Sequence, residues 1–222
     1  MNMRTFTAEV LALTLLGILT CVSQTKQRQP WKIVRADSVI LVQKHGSDAV
    51  DTIFVAENDS KANHQDEDDY DDDYYFDDTY HPLSLTGPYL SYRYSYEGSG
   101  GAHPIYGSWY RTIDLENRQE VSLDQIFDQR VILSVLLKDT LIQSHTTNLH
   151  PGTLAQLVES LDGGCEMSFF RFLKSFSIRS VNRDEVMIEF GLTHGCEVMR
   201  GNFTSFVITL PTSTALQEYA IE

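Results

Sequence analysis

The sequence predicts an α+β fold, an antiparallel sheet with two or three helices packed on one face. Three observations carry this. The elements run strands, helices, strands, the order of a sheet whose helices are segregated to one side. Leu90, Tyr92, Tyr94 and Tyr96 alternate with Ser91, Arg93, Ser95 and Glu97; a period of two places the three tyrosines on one face of a strand. Leu133, Leu136, Leu137, Thr140 and Leu141 recur instead at helical spacing.

Taken in order, residues 31–34, 38–43 and 50–55 read as strands, the last two joined across the polar loop Lys44-His45-Gly46-Ser47-Asp48. The tyrosine strand runs into Gly98-Ser99-Gly100-Gly101, which supplies the conformational freedom of a tight connection. Pro104 then keeps His103 extended, and residues 109–115 return as the next strand. Ser122 and Gln125 have capping-box spacing for a short helix holding Leu123, Ile126 and Phe127. The Leu133 helix follows. Thr153 with Gln156 caps another, carrying Leu154, Leu157, Val158 and Leu161 and stopping at Gly163-Gly164. Strands at 176–181 and 186–190 flank the turn Asn182-Arg183-Asp184-Glu185, residues 203–210 form the last strand, and Thr212 is expected to cap a short helix over 215–221.

The net charge of −14 is local. Glu57 to Tyr80 holds 11 acids and one lysine, or −10, which leaves 20 acids and 16 bases, or −4, for the rest. This Asp/Tyr insert breaks every periodic pattern, and like-charge repulsion is expected to keep it extended. No basic stripe is present to neutralise phosphates, which argues against nucleic acid as a partner. A basic protein or a cation is the natural complement. Asp66, Asp68, Asp71, Asp73, Asp77 and Asp78 are hard oxygen donors of the kind calcium takes, but the central glycine and terminal glutamate of an EF-hand loop are missing. No metal site or cofactor is assigned. Tyr70, Tyr74, Tyr75, Phe76 and Tyr80 set aromatic anchors among the acids, a mixture suited to recognising a protein.

Residues 1–21 read as an export signal: Arg4, then an apolar run from Val10 to Leu19, short of the roughly 20 residues a spanning helix needs. Ile18-Leu19-Thr20-Cys21 resembles a bacterial lipobox, so Cys21 is the candidate lipidation site, with 22–30 a tether and 31–222 a single domain that contains the insert. Cleavage after Ser23 and an uncleaved anchor are the alternatives. With Cys21 set aside, Cys165 and Cys196 remain, and an even pair in an exported chain favours a disulfide over two buried thiols. Closing that loop of about 30 residues would contribute roughly 3–4 kcal/mol in the chain-entropy account.

Other chemistry is thinner. His103, in its glycine-rich turn, suits a ligand or a metal, but a lone histidine without partners at ligand spacing more simply braces the hairpin backbone. Cys165 or Cys196 with His194 has the residue types of a nucleophile and base, which a disulfide would abolish. Asp184-Glu185 sits in an expected turn and is read as solvated. Asn202-Phe203-Thr204 fits a glycosylation sequon, of little weight beside a bacterial-type leader. The stripe Tyr92, Tyr94, Tyr96 is a half-buried core face or a sugar-stacking surface.

Several of these features occur in one order. The tyrosine strand, Gly-Gly-Ala-His-Pro at 100–104, Ile113-Asp114-Leu115 turning into Val121-Ser122-Leu123-Asp124-Gln125-Ile126-Phe127, and a late strand ending in Leu210-Pro211 resemble the C-terminal domain of unknown function shared by RsiV-type anti-sigma factors, which are lysozyme sensors, and PdaC-type peptidoglycan deacetylases. The resemblance spans about residues 89–210. It departs at Gly191-Leu192-Thr193-His194-Gly195-Cys196-Glu197, where the family often carries a Tyr-x-x-Gly-x-Tyr loop, and no basic segment precedes the apolar run. The resemblance implies a non-catalytic binding module of the bacterial cell envelope, periplasmic or surface-exposed. Its ligand would be a basic cell-wall-active protein such as lysozyme, or peptidoglycan. Tyr92, Tyr94, Tyr96, His103, Tyr70, Tyr74 and Tyr75 are its candidate contacts. A glycan-acting enzyme or enzyme accessory, and a structural envelope lipoprotein, are the other classes the sequence admits.

Overall fold

Two long hairpin turns organise the chain. Strand β4 (Tyr75–Thr86) folds back on β5 (Tyr89–Gly100), which pairs in turn with β6 (His103–Asp114), all antiparallel. The structure, a computed structural model, describes residues 29–36, 40–53, 75–100, 103–148, 150–164, 167–193 and 203–220. Among these, β4, β5 and β6 with the two-residue β7 (Gln119–Glu120) make a four-stranded sheet. A second sheet has the order β1 (Trp31–Ala36), β2 (Ile40–Lys44), β3 (Val50–Ile53), and a third the order β10 (Phe203–Pro211), β9 (Glu185–Thr193), β8 (Phe176–Val181). The turn from β4 to β5 depends on Gly87, whose φ is +57° and whose missing side chain leaves room for the Tyr219 ring. The Gln29 side chain holds that turn from both sides, donating to the Gly87 carbonyl at 3.2 Å and accepting from its N–H at 2.9 Å.

The two faces of the middle sheet do different work. One presents Leu90, Tyr92, Ile113 and Leu115 to Trp31, Ile40 and Val42, closing a small core against the first sheet. The opposite face carries Ser91 and Thr112, both fully buried, toward β8. Their hydroxyls stand in for the second strand neighbour that β8 lacks among the described residues. Thr112 Oγ1 donates to the Phe176 carbonyl at 2.8 Å, and the Ile178 N–H donates to Ser91 Oγ at 3.1 Å. The two hydroxyls lie 2.8 Å apart. Because the single Thr112 proton is committed to Phe176, Ser91 must be the donor between them. The chain of donors therefore runs Ile178 N–H, Ser91 O–H, Thr112 O–H, Phe176 C=O. Beyond β8 the larger core is built on stacked Phe172, Phe190 and Phe206, with Phe172–Phe190 centroids 4.5 Å apart and Phe190–Phe206 at 5.0 Å. Ile132, Leu136, Leu154 and Leu157 from the helices close it.

The expected single sheet with helices on one face does not form. Among the described residues the fold is sheet-rich, ten strands in three sheets, with only four short α-helices. Two physical causes shift the balance. The helices are cut short by caps: the Leu133–Leu141 pattern breaks at Asp139, whose carboxylate accepts from Leu141 N at 2.9 Å and Ile142 N at 3.1 Å and starts a new helix. The segment is thus α2 (Gln129–Leu136) and α3 (Thr140–His145), after α1 (Leu123–Ile126) and before α4 (Leu154–Glu159). In place of the helix expected over 215–221, the described residues to 220 give only a 3-10 turn, Gln217–Tyr219, because Thr212 Oγ1 donates to the Asn182 carbonyl instead of capping a helix. The strands meanwhile outgrow their local patterns. Residues 75–80, the end of the acidic insert, open β4 and pair with β5, and Gly98 and Gly100 stay in the ladder opposite Ile105 and His103. Residues 1–28 and 54–74, with the leader, Cys21, most of the tether and most of the insert, lie outside the described residues.

Candidate functional site

Strand β6 has two unlike edges. One pairs with β5 along its whole length. The other meets β7 only at Ile113 and Asp114, extended by one bond from the Val121 N–H to the Thr112 carbonyl at 2.8 Å. There the chain leaves into α1, and from Tyr106 to Arg111 no strand among the described residues takes that side. A cleft of about 200 Å³ lies beside this edge, lined by Trp109, Tyr110, Glu120, Phe170, Arg171 and Lys174, with Gly191 to Thr193 behind them.

The cleft wall opposite β6 is the segment 168–174. Ser168 N donates to the Thr193 carbonyl at 2.6 Å and Ser168 Oγ accepts from Phe170 N at 3.2 Å, a hydroxyl-held turn. Arg171 sits in the left-handed region at φ 56°, uncommon for a residue with a side chain. This kink turns Phe169 and Phe172 into the core and leaves Phe170 80% exposed at the rim. Lys174 and Arg171 then reach the Glu120 carboxylate at 3.5 and 3.2 Å. On the other side the Arg111 guanidinium stands 3.8 Å from Glu120 and lies over the Tyr94 and Trp109 rings, at 5.5 and 5.4 Å from their centres. Three cations thus gather around one carboxylate beside an aromatic cluster. Tyr110 closes the back, its ring 5.1 Å from that of Phe203 and seated over Gly191, where an added Cβ would meet Tyr110 Cγ at 2.7 Å.

Burial sets the phenols of this region. Tyr92 and Tyr94 are pushed well above the usual tyrosine range by burial, with the Arg111 charge opposing it in both and the Asp78 hydrogen bond adding to it for Tyr94. Tyr94 O–H donates to Asp78 at 2.8 Å. Tyr96 is raised by burial, and Tyr110 by burial and then by Glu189. All four are neutral phenols across the physiological range.

The residues expected from sequence are dispersed. Tyr92 is fully buried in the small core and Tyr94 and Tyr96 form a ring ladder with Trp109, at 4.8 and 5.6 Å. His103 begins β6 opposite Gly100, and Tyr75 begins β4 opposite Ser99. Tyr70, Tyr74, Cys21, Cys165, Cys196 and His194 lie outside the described residues. Asp184 and Glu185 occupy the β8–β9 turn, where the Asn182 side chain accepts from both backbone N–H groups. Among the described residues no group of three or more His, Cys, Asp or Glu could hold a metal, and no helix is long and apolar enough to cross a membrane.

Ser144 and His145, unremarked in the sequence, do meet at 2.9 Å. They are not a nucleophile and base. His145 Nδ1 also lies 2.8 Å from the Leu141 carbonyl, a contact that only a protonated Nδ1 can make, so this nitrogen donates and has no lone pair for a serine proton. Ser144 Oγ likewise donates to Leu141 O. What sequence reasoning missed is the cleft, since Arg111, Glu120, Arg171 and Lys174 come from three separate elements. The run Phe169-Phe170-Arg171-Phe172 was the available signal, because one of three phenylalanines so spaced must face outward.

No family model and no curated protein sequence matches the chain. The chain is similar to a solved DUF3298 family member. That crystal structure, from Bacteroides fragilis, shares 20% identity with a TM-score of 0.34, over 67% of this chain and 55% of that one. The chain therefore spans about half the length of the solved protein. DUF3298 is the domain of unknown function that RsiV-type and PdaC-type proteins share.

Proposed function

We propose that this chain is a non-catalytic binding module of the bacterial cell envelope, exported, held to the membrane through Cys21, and carrying its ligand site in the cleft beside β6. The observation behind this is the pairing of reachable cations, Arg171 and Lys174, with aromatic surface at Trp109 and the exposed Phe170, around a cavity of about 200 Å³. Aromatic surface with a few convergent polar groups is the usual make-up of a ligand site. The volume lies below the several hundred Å³ typical of sites that engulf a whole small molecule, so the cleft suits one protruding group of a larger ligand. Cations favour a carboxylate on that group. Peptidoglycan offers carboxylates, and so does a protein. A basic cell-wall-active protein such as lysozyme is the second reading, favoured by the −10 charge of Glu57 to Tyr80, which would raise its association rate at low salt.

The test is binding of the full chain to insoluble peptidoglycan and to immobilised lysozyme, at low and high salt, beside the Lys174→Ala variant. Saturable binding to either ligand that weakens about tenfold in the variant supports the cleft as the site. Binding that the variant leaves untouched moves the site elsewhere. Absence of binding to both removes the cell-wall reading. Product release from peptidoglycan by the purified chain would overturn the non-catalytic assignment.

A further inference from the structure

We infer that the edge of β6 that no described strand occupies takes an extended segment of a protein partner as an added strand, with an acidic side chain of that segment seated among the cations of the cleft. This rests on the reading of the cleft as the ligand site and names the ligand chemistry.

The Thr112 carbonyl faces the β7 side, since it accepts from Val121 N. Backbone groups of a strand alternate in direction from one residue to the next, so the N–H and C=O of Tyr110, Ser108 and Tyr106 face the same side, where β7 has already ended. A row of strand-edge donors and acceptors is a template for another strand. The partner would continue the line of β7 beyond Val121, antiparallel to β6. The neighbouring wall approaches β6 at its 3-10 turn, Phe172–Lys174, and leaves a cleft beside Trp109 and Tyr110.

Register then fixes the chemistry. Glu120 stands opposite Ile113, on the sheet face that Trp109 and Arg111 share. The residue of an added strand that falls opposite Arg111 is two places further along the same line and on that same face. Its side chain would lie next to Arg111 and within the reach of Arg171 and Lys174, which already converge on Glu120. An acid there makes a favourable cross-strand pair with Arg111, and a lysine there would face like charge. Lys174, 44% exposed, is the cation most open to the ligand. A slip of one residue would turn the acid to the opposite face, so the charge also sets which of the partner's amides point inward. A glycan has no alternating amides to match such an edge.

The probe is a short acetylated and amidated peptide of alternating valine and threonine with one central glutamate, added to the full chain and followed by fluorescence anisotropy. Three comparison peptides carry glutamine for glutamate, N-methyl groups on one set of alternate amides, or N-methyl groups on the other set. The expected result is saturable binding of the glutamate peptide, weakened about tenfold by glutamine. One N-methylated peptide should lose binding and the other keep it, and exchange of the Ser108 and Tyr110 amides should slow on binding. Lys174→Ala should remove most of the difference between glutamate and glutamine. If both N-methylated peptides bind like the parent while Lys174→Ala still weakens them, strand addition is wrong and the cleft remains a charge-reading site. If the parent peptide binds and neither Lys174→Ala nor either methylation matters, the cleft itself is the wrong site. Absence of binding by the parent peptide at millimolar concentration overturns the inference, while peptidoglycan and lysozyme binding still judge the broader reading.

Discussion

The hydroxyl pair Ser91–Thr112 should hold the two halves of the molecule together, and the coupling between the two residues should show it. Both side chains are fully buried and every proton of the chain Ile178 N–H, Ser91 O–H, Thr112 O–H, Phe176 C=O is committed. Ser91→Ala leaves the Ile178 N–H without its acceptor, at about 1–3 kcal/mol for one buried unsatisfied group. Thr112→Val keeps the shape but strands the Phe176 carbonyl and the Ser91 proton together, about 2–6 kcal/mol on the same scale. The double variant leaves only the two backbone groups of β8 unsatisfied, because the bond between the hydroxyls is lost once rather than twice. Its destabilisation should therefore fall short of the sum of the singles by about 1 kcal/mol, the net worth of one buried hydrogen bond. Urea unfolding of the four proteins measures this, provided the slope with denaturant is unchanged. Additive losses, or single losses below about 0.5 kcal/mol, would show that β8 finds its partners elsewhere and that the proton order argued above is wrong.

Three further outcomes follow from the same packing. Glu120→Gln removes the carboxylate shared by Arg111, Arg171 and Lys174. Breaking a fully buried pair costs about 3–5 kcal/mol, but Glu120 is 21% exposed and 3.8 Å from Arg111, so about 1–2 kcal/mol is expected in urea unfolding, and an unchanged midpoint would refute the cluster. Gly191→Ala drives a methyl group into the rings of Tyr110 and Phe203 and should destabilise by about 1–3 kcal/mol, as overpacking does; a wild-type melting curve would mean that the rings have room to move. Alkaline titration is the third. Tyr89, Tyr92, Tyr94, Tyr96 and Tyr110 are raised above the ordinary 10.0 chiefly by burial, and Tyr219 is pushed up to about 12. Their stabilisation is complete below the unfolded value and is lost as pH climbs from 10 through the folded values. Phenolate absorbance and loss of near-ultraviolet circular dichroism should rise together above pH 10, and smooth titration of all tyrosines near 10 with the fold intact would contradict the burial.

The middle hairpin was legible because its signal is local. Tyr92, Tyr94 and Tyr96 alternate with polar residues, and a strand of period two follows whatever packs against it. The turn Asn182–Glu185 and the strands beside it were legible for the same reason. The helices were misjudged at Asp139, since an acid between apolar residues reads equally as an exposed helical position and as a cap that restarts the helix. The end of the acidic insert was misjudged for a different cause. Asp77 and Asp78 are poor strand formers, yet they pair with Glu97 and Tyr96, and Asp78 accepts from the Tyr94 hydroxyl. Their strand is imposed by β5, through contacts distant in sequence, and no window over the insert contains that information.

Charge arithmetic on the sequence and geometry at the cleft lead to opposite partners, and both can hold because they act at different ranges. The −10 of Glu57 to Tyr80 and the remaining −4 set the field that an approaching molecule feels, over a Debye length of about 8 Å at physiological salt. That field favours a basic partner as a whole. Contact is decided by the side chains met at the end of the approach, and at the β6 edge these are Arg111, Arg171 and Lys174 around a single glutamate. A protein that is basic overall but presents an acidic residue in an extended edge segment satisfies both terms. A uniformly acidic partner is repelled before it docks, and a basic segment at the edge is opposed after it arrives. With the cleft as the proposed ligand site, the two charge patterns together would select more narrowly than either does alone.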